Sequence, residues 1–256
     1  GISSDMRTRL ATFIGTYCDQ ADNQNGLTTL CPAAVADPAR RNIDVDFTRN
    51  IESRLTLDMN FANPAGGTGG NPTTTITNDE QDVFALASNL FAHNVPPPVD
   101  PGKLGDSVSQ RARESAAGKY LELRSVFAKR SVAQNSFAAL IAMRTAGDPE
   151  VAPYVKSVIR DLGVSDPEEI QKLVGENPSY FAQMEILTKK LYQNPIFYTE
   201  LYDKPVNIER KGAALQAIGL MQDRDLYNSL LRSEAVLSVL LETQLEREME
   251  KAVSNK

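Results

Sequence analysis

Val108-Ser109-Gln110-Arg111-Ala112-Arg113-Glu114-Ser115-Ala116-Ala117-Gly118-Lys119-Tyr120-Leu121-Glu122-Leu123-Arg124-Ser125-Val126-Phe127 decides the fold class. Val108, Ala112, Ala116, Tyr120, Leu123 and Phe127 step by three or four, the spacing that lines one face of an α-helix. Phe137, Leu140 and Ile141 resume the stripe after a phase shift. Asp106 stands where an N-cap is needed, its carboxylate able to accept from the first free amides. A helix unbroken to Ala146 would span about 60 Å at roughly 1.5 Å per residue. Ordinary globular helices are shorter. The expectation is a mainly α protein with an extended helical body over residues 106–256.

Downstream, one device recurs. Ser165-Asp166-Pro167-Glu168, Asn177-Pro178 and Asn194-Pro195 each set a capping residue at or before a proline that can open a helix. Ser165 and Glu168 also have capping-box spacing. Short helices are expected at about 166–174, 178–193 and 195–203, then one from Asn207 to about Met221. A last helix is expected from Asp223 to Lys256, with Leu226, Leu230, Leu237, Leu241, Leu245 and Met249 in line.

Upstream, residues 1–105 read as an acidic, loop-rich region. Through residue 110 the chain holds 7 Lys+Arg against 13 Asp+Glu, whereas residues 111–256 hold 20 of each. Asp5 to Gln20 has a helical stripe of Met6, Leu10, Phe13, Ile14 and Tyr17. Ile43, Val45 and Phe47 alternate with Asp44 and Asp46, the pattern of a short half-buried strand, so this part is expected to hold a short strand pair. Ala62 to Thr77, rich in Gly, Pro and Thr, is a linker or long loop. Asn78 to Asn94 reads as a helix, with Asp79, Glu80 and Asp82 near its positive end, stopped by Pro96-Pro97-Pro98.

The inventory of reactive side chains is thin. The chain has one histidine, His93, two cysteines, Cys18 and Cys31, and no tryptophan. His93 ends a helix, where a capping role is expected. Asp44 and Asp46 lack the Gly and closing Glu of a calcium loop. Gly66-Gly67-Thr68-Gly69-Gly70 lacks the Gly-Lys-Ser/Thr ending of a phosphate loop. No cofactor, metal or catalytic residue is expected. Neither half is basic, which argues against nucleic acid, where Lys and Arg must neutralise phosphates. No stretch reaches the roughly 20 apolar residues needed to span a bilayer.

Cys18 and Cys31 flank a polar, turn-rich stretch, and no His or third Cys lies near enough to build a metal site with them. A disulfide is the expected pairing, against the alternative of two unrelated buried thiols. A bridge implies an oxidising compartment, most simply a bacterial periplasm. The chain begins at Gly1, and any export signal is expected to have been removed already. Tyr180, Phe181, Tyr192, Phe197, Tyr198, Tyr202 and Tyr227 gather in the last third. Most should be core; Tyr192, Phe197, Tyr198 and Tyr202 are the candidates for a protein interface, where aromatics are enriched.

Ala217-Ile218-Gly219-Leu220-Met221-Gln222 matches the Gly-Leu-Met-Gln motif of lysozyme-like lytic transglycosylases. Those enzymes need a catalytic Glu, followed by Ser, about fifteen residues upstream. Here Glu200 is followed by Leu201 and Glu209 by Arg210, and neither has the right spacing. A packing segment is the simpler reading, with a peptidoglycan-cleaving enzyme as the alternative.

A second likeness covers more. Gln183-Met184-Glu185-Ile186-Leu187, Gln193-Asn194-Pro195-Ile196-Phe197-Tyr198-Thr199-Glu200-Leu201-Tyr202-Asp203-Lys204-Pro205 and Val206-Asn207-Ile208-Glu209-Arg210-Lys211 resemble the C-terminal region of IcmX-type proteins. So do Ala214-Leu215-Gln216-Ala217-Ile218-Gly219-Leu220-Met221-Gln222 and Leu230-Leu231-Arg232-Ser233-Glu234-Ala235. That family consists of periplasmic components of type IVB (Dot/Icm-type) secretion and conjugation systems. The resemblance spans about residues 177–245 and implies an exported, non-enzymatic subunit. It would dock on other secretion-system subunits, an inner-membrane channel protein among them, with homo-oligomerisation a further option. A secreted effector or periplasmic adaptor is the remaining alternative.

Overall fold

The computed structural model describes residues 2–20, 30–31, 37–59, 76–91, 100, 102, 109–147, 150, 152–161, 168, 175–193 and 195–254. The protein is mainly α, and among the described residues there is no strand or sheet. Eight α-helices are described: α1 (Ile2–Thr12), α2 (Asn78–Leu90), α3 (Gln110–Arg144), α4 (Ala152–Asp161), α5 (Tyr180–Glu185), α6 (Leu191–Gln193), α7 (Pro195–Thr199) and α8 (Pro205–Ser254). Wider π turns follow α1 at Phe13–Tyr17 and join α5 to α6 at Ile186–Lys190, and another lies at Thr48–Glu52.

The chain forms two compact units. Unit 1 holds Gly1–Arg54 and Asp58–Gln134; unit 2 holds Leu55–Leu57 and Asn135–Lys256. The boundary expected at 105/106 lies outside the described residues, and the two compact units divide within α3.

In unit 1, α1 and its π turn carry Tyr17 and Cys18 into the interior, both 1% exposed. Thr77 caps α2, its Oγ1 accepting from the Glu80 amide at 3.1 Å. Val83 and Leu86 of α2 are buried alongside Ile43 and Ile51. The strand expected at Ile43–Phe47 is corrected. Residues 41–45 are turns, with Val45 N donating to Asn42 O at 3.3 Å and Asp46 N to Ile43 O at 3.3 Å. Asn42 has φ 54, left-handed backbone that leaves an extended strand no start. Ile43 and Asp44 are buried in succession while Val45 and Phe47 are exposed, which a period of two forbids.

In unit 2, Ile159 of α4, Ile186 and Leu187 of the π turn and Phe197 of α7 form one cluster. Met184, Ala214, Leu215 and Ile218 pack against it, which seats the first turns of α8. Residues 55–57 join this unit as a strap. Leu57 N donates to Arg144 O at 2.7 Å, Ala146 N donates back to Leu57 O at 3.0 Å, and Leu57 is fully buried. The break expected at Gln222/Asp223 is absent, and α8 runs through it. Once a helix is nucleated each added residue gains a bond, and no proline follows Pro205 to stop it. Of the helix expected at 166–174 only Glu168 is described, and it is helical; the Ser165 cap, the Asp106 cap, His93 and Gly66–Gly70 lie outside the described residues, and of the 62–77 loop only Ile76 and Thr77 are described.

Candidate interaction surfaces

Asp82 of α2 organises the interior of unit 1. It is 5% exposed and accepts from Tyr17 Oη at 2.9 Å and from Arg40 Nε at 3.0 Å, with Arg40 Nη2 closing a second contact. The Arg40 guanidinium also reaches Gln81 Oε1 at 2.7 Å and Asn78 Oδ1 at 3.0 Å, and lies 5.6 Å from the centre of the Tyr17 ring. Asn50, also buried, donates to Ile43 O at 3.0 Å and to Asp82 O at 2.9 Å. Burial first, then the Asp82 charge, raises the Tyr17 phenol far above its ordinary pKa, so it stays a neutral donor. Every partner here is a neighbour on the fold, and a carboxylate already filled by a guanidinium and a phenol has little capacity left for a substrate. The cluster ties α2 to the turn-rich segment.

Beside it, Met6, Leu10, Phe13, Val45, Ile76 and Phe84 line an open groove of about 700 Å³ between α1 and α2. Asp44 lies at its edge, 5% exposed, with Oδ2 accepting from Asn89 Nδ2 at 3.0 Å. Burial raises the Asp44 pKa, and the Asn89 bond only partly offsets it. The groove wall is mostly apolar, with Asp5, Arg9 and Gln81 also lining it.

The expected disulfide is present. Cys18 and Cys31 are bonded across a Cα–Cα distance of 5.3 Å and both are buried. Gln20 Nε2 donates to Cys31 O at 3.0 Å and helps hold the second arm.

The four candidate interface aromatics part company in unit 2. Phe197 belongs to the buried cluster. Tyr192 and Tyr198 meet its ring edge-on at 5.1 and 5.5 Å and remain exposed, and Tyr202 is 93% exposed. Any contact role in this group therefore falls to the three tyrosines. Tyr180 donates to Asp225 Oδ2, and burial with that carboxylate pushes its pKa up to about 12.

One exposed apolar face among the described residues, on α8, was half legible. The leucine stripe of the last helix was visible in the sequence, but not that it faces water. Leu226, Leu230, Leu237, Leu240, Leu241 and Leu245 of α8 are each 51–62% exposed. Asn228, Arg232, Val236, Val239 and Thr243, at other angles around the same helix, are the partly shielded ones. Sequence periodicity gives the face but not which side of the helix its own fold covers. No group of three or more His, Cys, Asp or Glu able to hold a metal occurs among the described residues, and no described helix is long and apolar enough to cross a membrane.

Compared with protein-family models, with curated proteins and with solved structures, the chain finds no match.

Proposed function

We propose that this protein is an exported, non-enzymatic assembly component that acts by protein–protein contact, working in the periplasm as part of a type IV secretion or conjugation machine. One observation carries the contact reading: the exposed leucine face of α8. Helices of soluble monomers turn such faces inward, and a contiguous apolar patch of several hundred Å² marks an interaction site. Export is supported by the Cys18–Cys31 bridge, which persists in oxidising compartments. The machine itself rests on the resemblance of residues 177–245 to IcmX-type proteins, and an inner-membrane channel subunit is the partner it implies.

The peptidoglycan-cleaving alternative needs a carboxylic acid in a water-shielded cleft. Glu209 lies exposed on α8, which favours the contact reading over that one. Affinity capture of the tagged chain from cross-linked envelope fractions tests the proposal. Recovery of channel or other secretion-system subunits is expected. Capture without any of them would count against the machine. Clearing of purified cell walls, lost in Glu209→Gln or Glu200→Gln, would replace the proposal with the enzyme.

A further inference from the structure

We infer that the occupant of the α8 leucine face is a second copy of the same chain, paired helix to helix. The inference rests on the contact reading above and names one partner for it. Three observations carry it.

The first is shape. Leu230, Ser233, Glu234, Leu237, Ser238 and Leu241 enclose a shallow hollow of about 460 Å³ on the helix surface. Leu230, Ser233, Glu234 and Leu237 stand at the i, i+3, i+4 and i+7 positions that make a hole for an incoming side chain in helix-to-helix packing. Glu234, Leu237, Ser238 and Leu241 repeat the arrangement one step along. Ser233 and Ser238 keep both holes deep enough for a leucine. Leu230, Leu237 and Leu241 also stand as the knobs that such holes accept. One stripe supplies both halves of the packing, which is the self-complementarity a two-fold interface requires.

The second is area. Six leucines at on the order of 100 Å² each offer about 600 Å² of apolar surface. Homodimer interfaces are about 65% apolar, so the corresponding interface would bury about 900 Å² per chain. A stable dimer needs about 800 Å² per partner.

The third is charge, which excludes the other common home for an exposed leucine face. Between residues 223 and 254 there are 7 Asp+Glu against 4 Lys+Arg. Helices that lie on anionic lipid surfaces carry a basic polar face. This one is acidic.

Sedimentation equilibrium of the whole oxidised chain at tens of micromolar reads the answer. The expected mass is that of two chains. Leu230→Ala with Leu237→Ala keeps helix-forming residues while removing two of the three knobs, and is expected to weaken association at least tenfold with unchanged far-UV circular dichroism. Leu121→Ala, equally exposed on α3, is expected to leave it unchanged. A one-chain mass for the unaltered protein overturns the inference, as does a two-chain mass insensitive to the double substitution. Co-sedimentation of a one-chain species with phosphatidylglycerol vesicles would overturn it in favour of a membrane surface. Envelope capture reads the machine separately, so failure of self-pairing and failure of the secretion assignment remain distinct.

Discussion

Asp44 and Asp82 show how burial sorts two carboxylates in one unit. Asp82 faces a guanidinium and a phenol and is fully partnered. Asp44 has Asn89 on Oδ2, while Oδ1 is buried with no hydrogen-bond partner. Desolvation therefore dominates and raises the Asp44 pKa in the folded chain. The folded state then holds a proton that the unfolded state has released, so stability falls as pH rises from the ordinary aspartate value of about 4 up to the raised one. Asp44→Asn keeps an acceptor for Asn89 and removes the buried charge. It is expected to resist urea better than the parent at pH 7, with the advantage fading as pH falls through the raised pKa and gone by about pH 4. Equal midpoints at pH 7 would show that Asp44 carries no such penalty. Neither carboxylate's environment was legible in the sequence. Asp82 was expected to serve the α2 dipole, and only the fold brings Arg40 and Tyr17, 42 and 65 positions away, onto it.

Among the elements, α5 depends most on one side chain. Ser179 is fully buried, and its Oγ accepts from the Ala182 amide at 3.0 Å while donating to Leu55 O at 2.5 Å. Its amide donates to Thr56 Oγ1 at 3.1 Å. Ser179→Ala removes a helix cap and strands a carbonyl, a loss of about 2 kcal/mol in urea unfolding. A change under about 0.5 kcal/mol would mean that water replaces both bonds. The sequence marked this helix start through Asn177-Pro178, yet the cap is the next residue, because prolines set backbone angles while a hydroxyl closes the amide. The long helices were the most legible elements, since their periodicity extends over many turns. The Ile43–Phe47 strand was the least. Five alternating residues cannot signal that a left-handed Asn42 and the buried Asn50 amide hold them as successive turns. Only one buried residue, Ile141, lies on α3, so its predicted stripe described a helix more truly than a core.

For the molecule as a whole, the bridge is the feature most open to experiment. Cys18 and Cys31 are separated by 13 positions, and closing a loop of that size restricts the unfolded chain by about 3 kcal/mol in the loop-entropy model. Reduction is expected to lower the thermal midpoint by several degrees, and thiol labelling of native, unreduced protein to find no free cysteine. Labelling at Cys18 or Cys31 in that material would remove the main support for export. The mainly α class and the bridge were readable from the chain; the inclusion of residues 55–57 in unit 2 was not, because three residues carry no period. That strap has a practical consequence for anyone dissecting the molecule. A fragment beginning at Asn135 lacks the backbone that satisfies Ser179 and the leucine that fills the space beside Arg144, so no single cut in the gene yields unit 2 intact. Supplying a short peptide spanning Arg54 to Asp58 in trans, or splicing it ahead of Asn135, is the route by which such a half could be made whole.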